Sequence, residues 1–235
     1  MAIILKQRIE LQNRFYQLSK KEKRNFYLNL TIVILVILIP IITFSFYFKI
    51  YFLAPLIFWI LLSITAPFFD IPSMIKNGNL KYESSLLISE KEKNNKIKIH
   101  GGSLFDYYFV LNNQDKGSKR RNMILLEYLN GILEIIESNK EKPDLKITGT
   151  TYILNQRTAN KIGFKVQEVD TIQLIILLLN YPNLIFTKSF SHKKLSFPDL
   201  KNIKTYESSI KELDENKQKI TQIRNTIKST IANIG

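Results

Sequence analysis

LTIVILVILIPIITFSFYFKIYFLAPLIFWILLSITAPFF, residues 30–69, is a run of forty residues in which Lys49 is the only charge. One membrane-spanning helix takes about 20 apolar residues, so the run fits two. The spans are expected over Leu28–Phe48 and Tyr51–Phe69, with Phe48-Lys49-Ile50 as the tight turn between them and both ends on the same side. A cleavable signal peptide fits poorly: the run starts too late, is too long, and has no small-residue cleavage site after a short apolar core. A hairpin buried inside a soluble core fits poorly too, because forty nearly uncharged residues exceed what a domain of this size needs. Tyr27, Tyr47, Tyr51 and Trp59 are scattered near the span ends and middles.

The basic residues near the spans orient them, because Lys and Arg accumulate on the cytoplasmic side. Residues 1–29 carry Lys6, Arg8, Arg14, Lys20, Lys21, Lys23 and Arg24, and residues 71–100 carry Lys76, Lys81, Lys91, Lys93, Lys96 and Lys98, against Lys49 alone in the turn. The expectation is an integral protein of an inner or plasma membrane with both termini cytoplasmic.

With 235 residues in all, the stretch after the hairpin has room for one cytoplasmic domain of ordinary size and a C-terminal extension. The absence of cysteine excludes disulfides, thiolate metal sites and cysteine nucleophiles. His100 and His192 are too few for a histidine-based metal centre unless carboxylates complete it, and no metal is expected. A net charge of +14 suits anionic lipid headgroups and would also suit a polyanion. Since many of the basic residues flank the spans, the membrane accounts for much of the excess, and nucleic acid is not the expected partner.

Beyond the hairpin, Leu80–Ser89 and Lys96–His100 alternate about a charged turn and predict a β-hairpin. Phe105–Leu111 is aromatic and β-branched, as a central strand would be. A polar, basic loop follows over Asn112–Arg121, then a helix over Met123–Ser138 with Leu125, Leu129, Ile132 and Ile136 on one face, ended by Pro143. Leu145–Ile153 reads as a strand, Asn155–Ile162 as a short helix closed by Gly163, and Phe164–Val169 as a further strand. This alternation predicts an α+β membrane protein: a transmembrane hairpin followed by a mixed α/β domain with helices packed on a sheet. Asp170–Phe190 is apolar at Leu174–Leu179 but too interrupted for a third full span, and reads as a helix in the membrane interface or a core helix. From Glu207 to Ile234, Leu213, Ile220, Ile227 and Ile234 repeat every seven residues, with Ile223 and Ile231 filling the seam. Such an amphipathic helix can dock on its own domain, the plainer explanation, or pair with a copy of itself. The expected divisions are therefore 1–27, a basic N-terminal segment; 28–69, the hairpin; 70–169, the α/β domain; 170–206, the apolar segment; and 207–235, the amphipathic helix.

Gln114-Asp-Lys-Gly117-Ser-Lys119 lies, on this reading, between a strand end and a helix start, where backbone amides and the positive end of the helix dipole can hold phosphate. Gln114, Gly117, Ser118, Lys119, Arg120 and Arg121, with Lys116, form a candidate anion site, although a basic loop is commonly just solvated. Here the chain resembles the C-terminal half of the GNAT acyl-CoA N-acyltransferase fold. In that family a Gln/Arg-x-x-Gly-x-Gly/Ala loop follows a strand and opens a long helix. Gln114, Gly117 and Lys119 occupy those positions, Lys119 replacing the small residue. Leu145–Ile153, Asn155 and Gly163-Phe164 follow in the family's order, and the resemblance covers about residues 100–169. The family's tyrosine acid falls on Ala159, and the front half of the fold is reduced to one hairpin. The resemblance implies acyl-CoA held at the loop, with backbone amides of an open strand on the thioester carbonyl. Asp106 and Tyr152 are the candidates for moving a proton from an amine. His100-Gly-Gly-Ser103 reads as a mobile or bulged lead to that strand, with His100 structural or exposed rather than a base.

Two functions from different classes follow. One is a membrane-anchored GNAT-like protein that binds acyl-CoA or a nucleotide-like ligand and passes an acyl group to a membrane-proximal amine. The other is a non-enzymatic, oligomeric two-span scaffold or pore with a cytoplasmic domain sensing a ligand or partner. For the second, Pro40 and Pro55 allow kinks, and Thr31, Thr43, Ser45, Ser63 and Thr65 offer hydrogen bonds between helices. No ionisable residue lies within a span, which argues against a proton or ion relay.

Overall fold

The computed structural model describes residues 13–151 and 156–233. A one-turn helix, α1 (Arg14–Gln17), leads into α2 (Lys20–Tyr47). A capping box starts α2: Ser19 Oγ accepts from the Glu22 amide, and the Glu22 carboxylate accepts from the Ser19 amide. The chain turns over at residues 48–52, with Lys49 at φ 58°, and α3 (Leu53–Lys76) runs back beside α2. Both helices are long and apolar enough to cross a membrane, and most of their apolar side chains are exposed. They outrun the expected spans at the basic end, because polar residues continue the helical ladder past the apolar run. Pro72 has no N–H for the carbonyl of Phe68 one turn earlier, and Tyr27 Oη donates to that carbonyl instead, at 3.2 Å. This bond ties α2 to α3.

A meander of β1 (Leu80–Ser84), β2 (Leu87–Glu90) and β3 (Lys96–Gly101) follows. The segment expected as one strand over 80–89 is thus two. Ser84 Oγ accepts from the amides of Leu86 and Leu87, and the Glu127 carboxylate accepts from the Ser85 amide and hydroxyl, which folds the chain sharply at Ser85-Leu86.

The strand expected at Phe105–Leu111 is a helix, α4 (Leu104–Val110). Ser103 and Asp106 close a capping box at its start. One helical turn brings Phe105 and Phe109 together against Phe15 and Phe68, while Tyr107 and Leu111 pack with Leu86 and Ile124. A short helix buried on both sides has the apolar composition of a central strand, which is why composition misleads here. At its exit Arg14 donates to the carbonyls of Tyr108, Phe109 and Leu111, groups that a helix end leaves without partners.

The long helix α5 (Gly117–Ser138) begins at Gly117, not Met123, and crosses over to β4 (Lys146–Thr151). Next come α6 (Gln156–Lys161), β5 (Lys165–Gln167), α7 (Thr171–Leu179) and α8 (Tyr181–His192). After a short 3-10 turn, β6 (Lys204–Ser209) precedes α9 (Ile210–Glu215) and α10 (Lys217–Asn233). The helix expected from Glu207 therefore starts later, because Lys204–Ser209 is a strand. Its polar run reads poorly as an inner strand, yet Tyr206 and Ser208 are buried and it lies between β4 and β5.

The six-stranded sheet has the order β1-β2-β3-β4-β6-β5, with β3 and β4 parallel and the other pairs antiparallel. A parallel pair needs a crossover, and α5 supplies it. Leu87, Ile97, Ile147 and Tyr206 pack in one core with Leu129, Ile132 and Ile136 of α5 and Ile220 of α10. Thus α10 docks on its own domain, with Ile223 and Ile227 completing the contact. The opposite face of β1 and β2 presents Leu80, Tyr82 and Ile88 to Ile71 and Ile75 at the end of α3. The fold is a mixed α/β domain joined by α1, α4 and α8 to the base of the helical hairpin.

Candidate functional site

β3 and β4 pair over Lys96–Lys98 and Lys146–Thr148, then run on to Gly101 and Thr151 without a common ladder. A cavity of about 130 Å³ opens there. Leu87 and Ile99 line it from the sheet, Leu129 and Ile132 from α5, Phe164 from below, and Ile223 and Ile227 from α10. His100, Tyr128, Thr150, Thr151 and Thr158 are its few polar-tipped walls. Crevices at the carboxyl ends of parallel strands are where open α/β sheets bind ligands. Walls this apolar favour an apolar group over water. From the same end of the sheet β3 leads into α4, against Phe68 of α3, and β5 reaches α7 within three residues. The cleft therefore lies at the hairpin end of the domain.

Tyr128 is the side chain that sequence reading missed. Its hydroxyl lies over Gly101 so closely that a Cβ at Gly101 would come within 1.9 Å of it, and it sits 3.4 Å from the Tyr107 hydroxyl. Glycine at 101 makes that approach possible. Burial pushes the Tyr128 phenol up to about 12, so it stays protonated at neutral pH. The available signal was a polar-tipped residue within the apolar stripe of Leu125, Leu129 and Ile132. His100 also borders the cleft, with Nε2 2.7 Å from Glu90 Oε1.

A second concavity, about 300 Å³, lies between α5 and α8 and is lined by Arg121, Asn122, Ile124, Leu125, Lys188, Ser191 and His192. Leu125 lines both cavities. An apolar cleft and a cationic groove thus share a wall.

The residues expected to bind phosphate are placed otherwise than as an open loop between strand and helix. They follow the helix α4, and Gly117–Arg121 form the first turns of α5. The Gly117 backbone packs against the carbonyl of His192, where a Cβ would come within 2.4 Å. Lys119 Nζ pairs with Asp115 at 3.0 Å. Arg120 is buried, stacks on the Phe190 ring at 4.7 Å, and donates to the carbonyls of Asn112 and Phe190. Lys193 Nζ closes the same junction by donating to the Asn113 carbonyl at 2.7 Å. Gln114 and Ser118 are exposed beside this junction, and Arg121 alone of the set lines the groove.

Asp106 is fully enclosed. Tyr82 Oη donates to Oδ1 at 2.5 Å, and the amide and hydroxyl of Ser103 donate to Oδ2, both at 2.8 Å. Burial outweighs these bonds and pushes the carboxyl up to about 6, while burial and the adjacent carboxylate hold the Tyr82 phenol far above its ordinary value. With no path to a substrate, Asp106 ties α4 to β1. Tyr152 and Asn155 lie outside the described residues. No family model matches the chain, and no characterised protein or solved structure matches it either.

Proposed function

We propose that this chain is a membrane-anchored acyl-ligand-binding protein of GNAT-like build, with its α/β domain on the cytoplasmic face and an acyl-CoA as its ligand. The observation that carries the reading is the apolar cleft between β3 and β4 sharing Leu125 with the cationic groove of Arg121 and Lys188. An amphiphile with an apolar tail and a phosphate head matches that pairing of surfaces. Apart from the α4 helix that intervenes between β3 and α5, the order strand, long helix, parallel strand, short helix, strand over β3, α5, β4, α6 and β5 is compatible with the resemblance, with β3 in the place first given to residues 105–111. Gly117 does not fit the close backbone approach of a pyrophosphate, because the His192 carbonyl stands there. The reading therefore places the acyl chain in the cleft and the phosphates against Arg121 and Lys188. The basic flanks of the hairpin support the cytoplasmic orientation.

The reading extends to acyl transfer onto a membrane-proximal amine. The amine nitrogen bonds to the acyl carbon and the C–S bond breaks; the departing sulfur takes a proton from a side-chain acid, and the proton that the nitrogen loses restores that acid. Tyr128, protonated and inside the cleft, is the side chain in place to give that proton.

Calorimetric titration of the detergent-solubilised protein with acetyl-CoA and palmitoyl-CoA tests the proposal. At least one of the two thioesters is expected to bind, and Leu125→Trp is expected to weaken it at least about tenfold, a loss of about 1.4 kcal/mol. Arg121→Glu with Lys188→Glu should weaken the thioester that binds while sparing an uncharged alcohol of the same chain length. No binding of either thioester would sink the reading and favour the two-span scaffold.

A further inference from the structure

Residues 171–187 have no part in that reading, yet they are built for a specific environment. The stretch 171–187 contains no charged side chain. Helix α7 buries none of its residues, and Ile172, Ile175, Ile176, Leu178 and Leu179 are 46 to 66 % exposed. The chain bends by 68° between α7 and α8. At such a break the backbone has polar groups to satisfy, and here the Asn180 and Asn183 amides and the Leu179 carbonyl find partners within the protein. The Asn180 amide and its side-chain Nδ2 both donate to the Ile176 carbonyl at 3.0 Å. Trp59 Nε1 of α3 donates to the Leu179 carbonyl at 3.1 Å, and Ser63 Oγ of α3 accepts from the Asn183 amide at 3.4 Å. Pro182 has no N–H to satisfy. Water would serve these groups without help, whereas in hydrocarbon each unpartnered one costs several kcal/mol.

The contacts also set the depth. Phe68, bonded to Tyr27, packs in the same aromatic cluster as Phe190 near the end of α8, so α8 runs alongside α3 from Trp59 and Ser63 down to Phe68. Trp59 lies nine residues before Phe68, about 14 Å along α3 at 1.5 Å per residue. Half of a bilayer's hydrocarbon core is about 15 Å. Both ends of the segment, however, belong to the α/β domain. Helix α7 follows β5 after a link of three residues, while α8 finishes on α5, where Arg120 donates to the Phe190 carbonyl at 2.7 Å.

We infer that α7 and α8 form a re-entrant membrane element, which enters and leaves the bilayer on the domain's side and places its break near the midplane against α3. The exposed faces of α7 meet lipid hydrocarbon. Leu195 and Phe197 are exposed on the strap that returns along α8.

The chain has no native cysteine, so single cysteines at the exposed positions Glu168, Ile176 and Lys194 test this in the full-length protein in oriented membrane vesicles. Glu168→Cys and Lys194→Cys should react with a membrane-impermeant maleimide from one and the same side. Ile176→Cys should not react from either side, and a nitroxide attached there before reconstitution should relax with oxygen and not with a water-soluble nickel chelate. Labelling of 168 and 194 from opposite sides would make the segment a third span. Reaction or nickel contact at 176 would make α7 a water-exposed helix. Either result overturns the inference, and neither depends on whether an acyl-CoA binds.

Discussion

At the residue scale, buried polar side chains mark where sequence reading assigned the wrong job to the right residue. Asp106 drew attention as a carboxylate within an aromatic run, and it is the pin that fastens α4 to Tyr82 of β1. Its carboxyl titrates near 6 when folded, above the ordinary value of 3.8, so the stability it contributes is fully present below about pH 4 and is lost as pH rises through 6. The loss is on the order of 3 kcal/mol at about 1.4 kcal/mol per pH unit. Glu207 and Glu212 are held below the ordinary carboxylate range by Lys96 and Lys165, so they change stability only in more acid solution. The midpoint of thermal unfolding in detergent is therefore expected to fall between pH 5 and pH 7. Asp106→Asn should be less stable at pH 5 and should lose that fall, its midpoint rising with pH instead because partial burial holds the His192 imidazole below its ordinary value; a wild-type midpoint that follows the variant's would contradict the burial argument. Arg120 teaches the same lesson. Arg120→Glu would bury a carboxylate against the Asn112 and Phe190 carbonyls, so limited proteolysis should cut it at the α5–α8 junction, while the exposed Arg121→Glu should resist as the parent does.

At the element scale, the elements that read correctly are those whose periodicity is long. The two long apolar helices run, and the Leu125, Leu129, Ile132 and Ile136 stripe of α5 repeats, over several turns, and one misleading residue cannot overturn them. Elements of six or seven residues have no such redundancy. In α4 the composition argued for a strand, but Ser103 followed three residues later by Asp106 was a legible helix start. Ser103→Ala should cost about 1 kcal/mol by removing that cap, read as a lower urea midpoint with an unchanged slope. β6 offered no signal of this kind: Lys204 and Glu207 are charged, and the strand is fixed by pairing with β4 and β5 on its two sides. The heptad of α10 was read with its two outcomes open, and in the fold Ile220 is wholly buried against α5. Ile220→Ala should accordingly cost about 2–5 kcal/mol. A loss below 0.5 kcal/mol in chemical unfolding would mean that α10 is not part of the core.

On the scale of the whole molecule, the hairpin was legible because hydrocarbon demands about 20 apolar residues per crossing and tolerates few charges, a rule that needs no knowledge of the fold. The cleft was not legible. Its walls come from residues as far apart as Leu87 and Ile227, and only the parallel pairing of β3 with β4 brings them together. The membrane orientation lies between these cases, since it rests on charge alone: six basic residues over 71–100 and seven over 1–29, against Lys49 in the turn. Lys49 and Lys91 both lie on exposed turns, one at each end of the long axis of α3. With cysteine placed at one or the other in the intact cell membrane, the impermeant maleimide should reach residue 49 from outside without permeabilisation, and residue 91 only after the inner face is opened. Reversal of the two would turn the domain outward, which would separate the cleft from any cytoplasmic thioester. Labelling of both from a single side would show that the hairpin dips into the bilayer without crossing it.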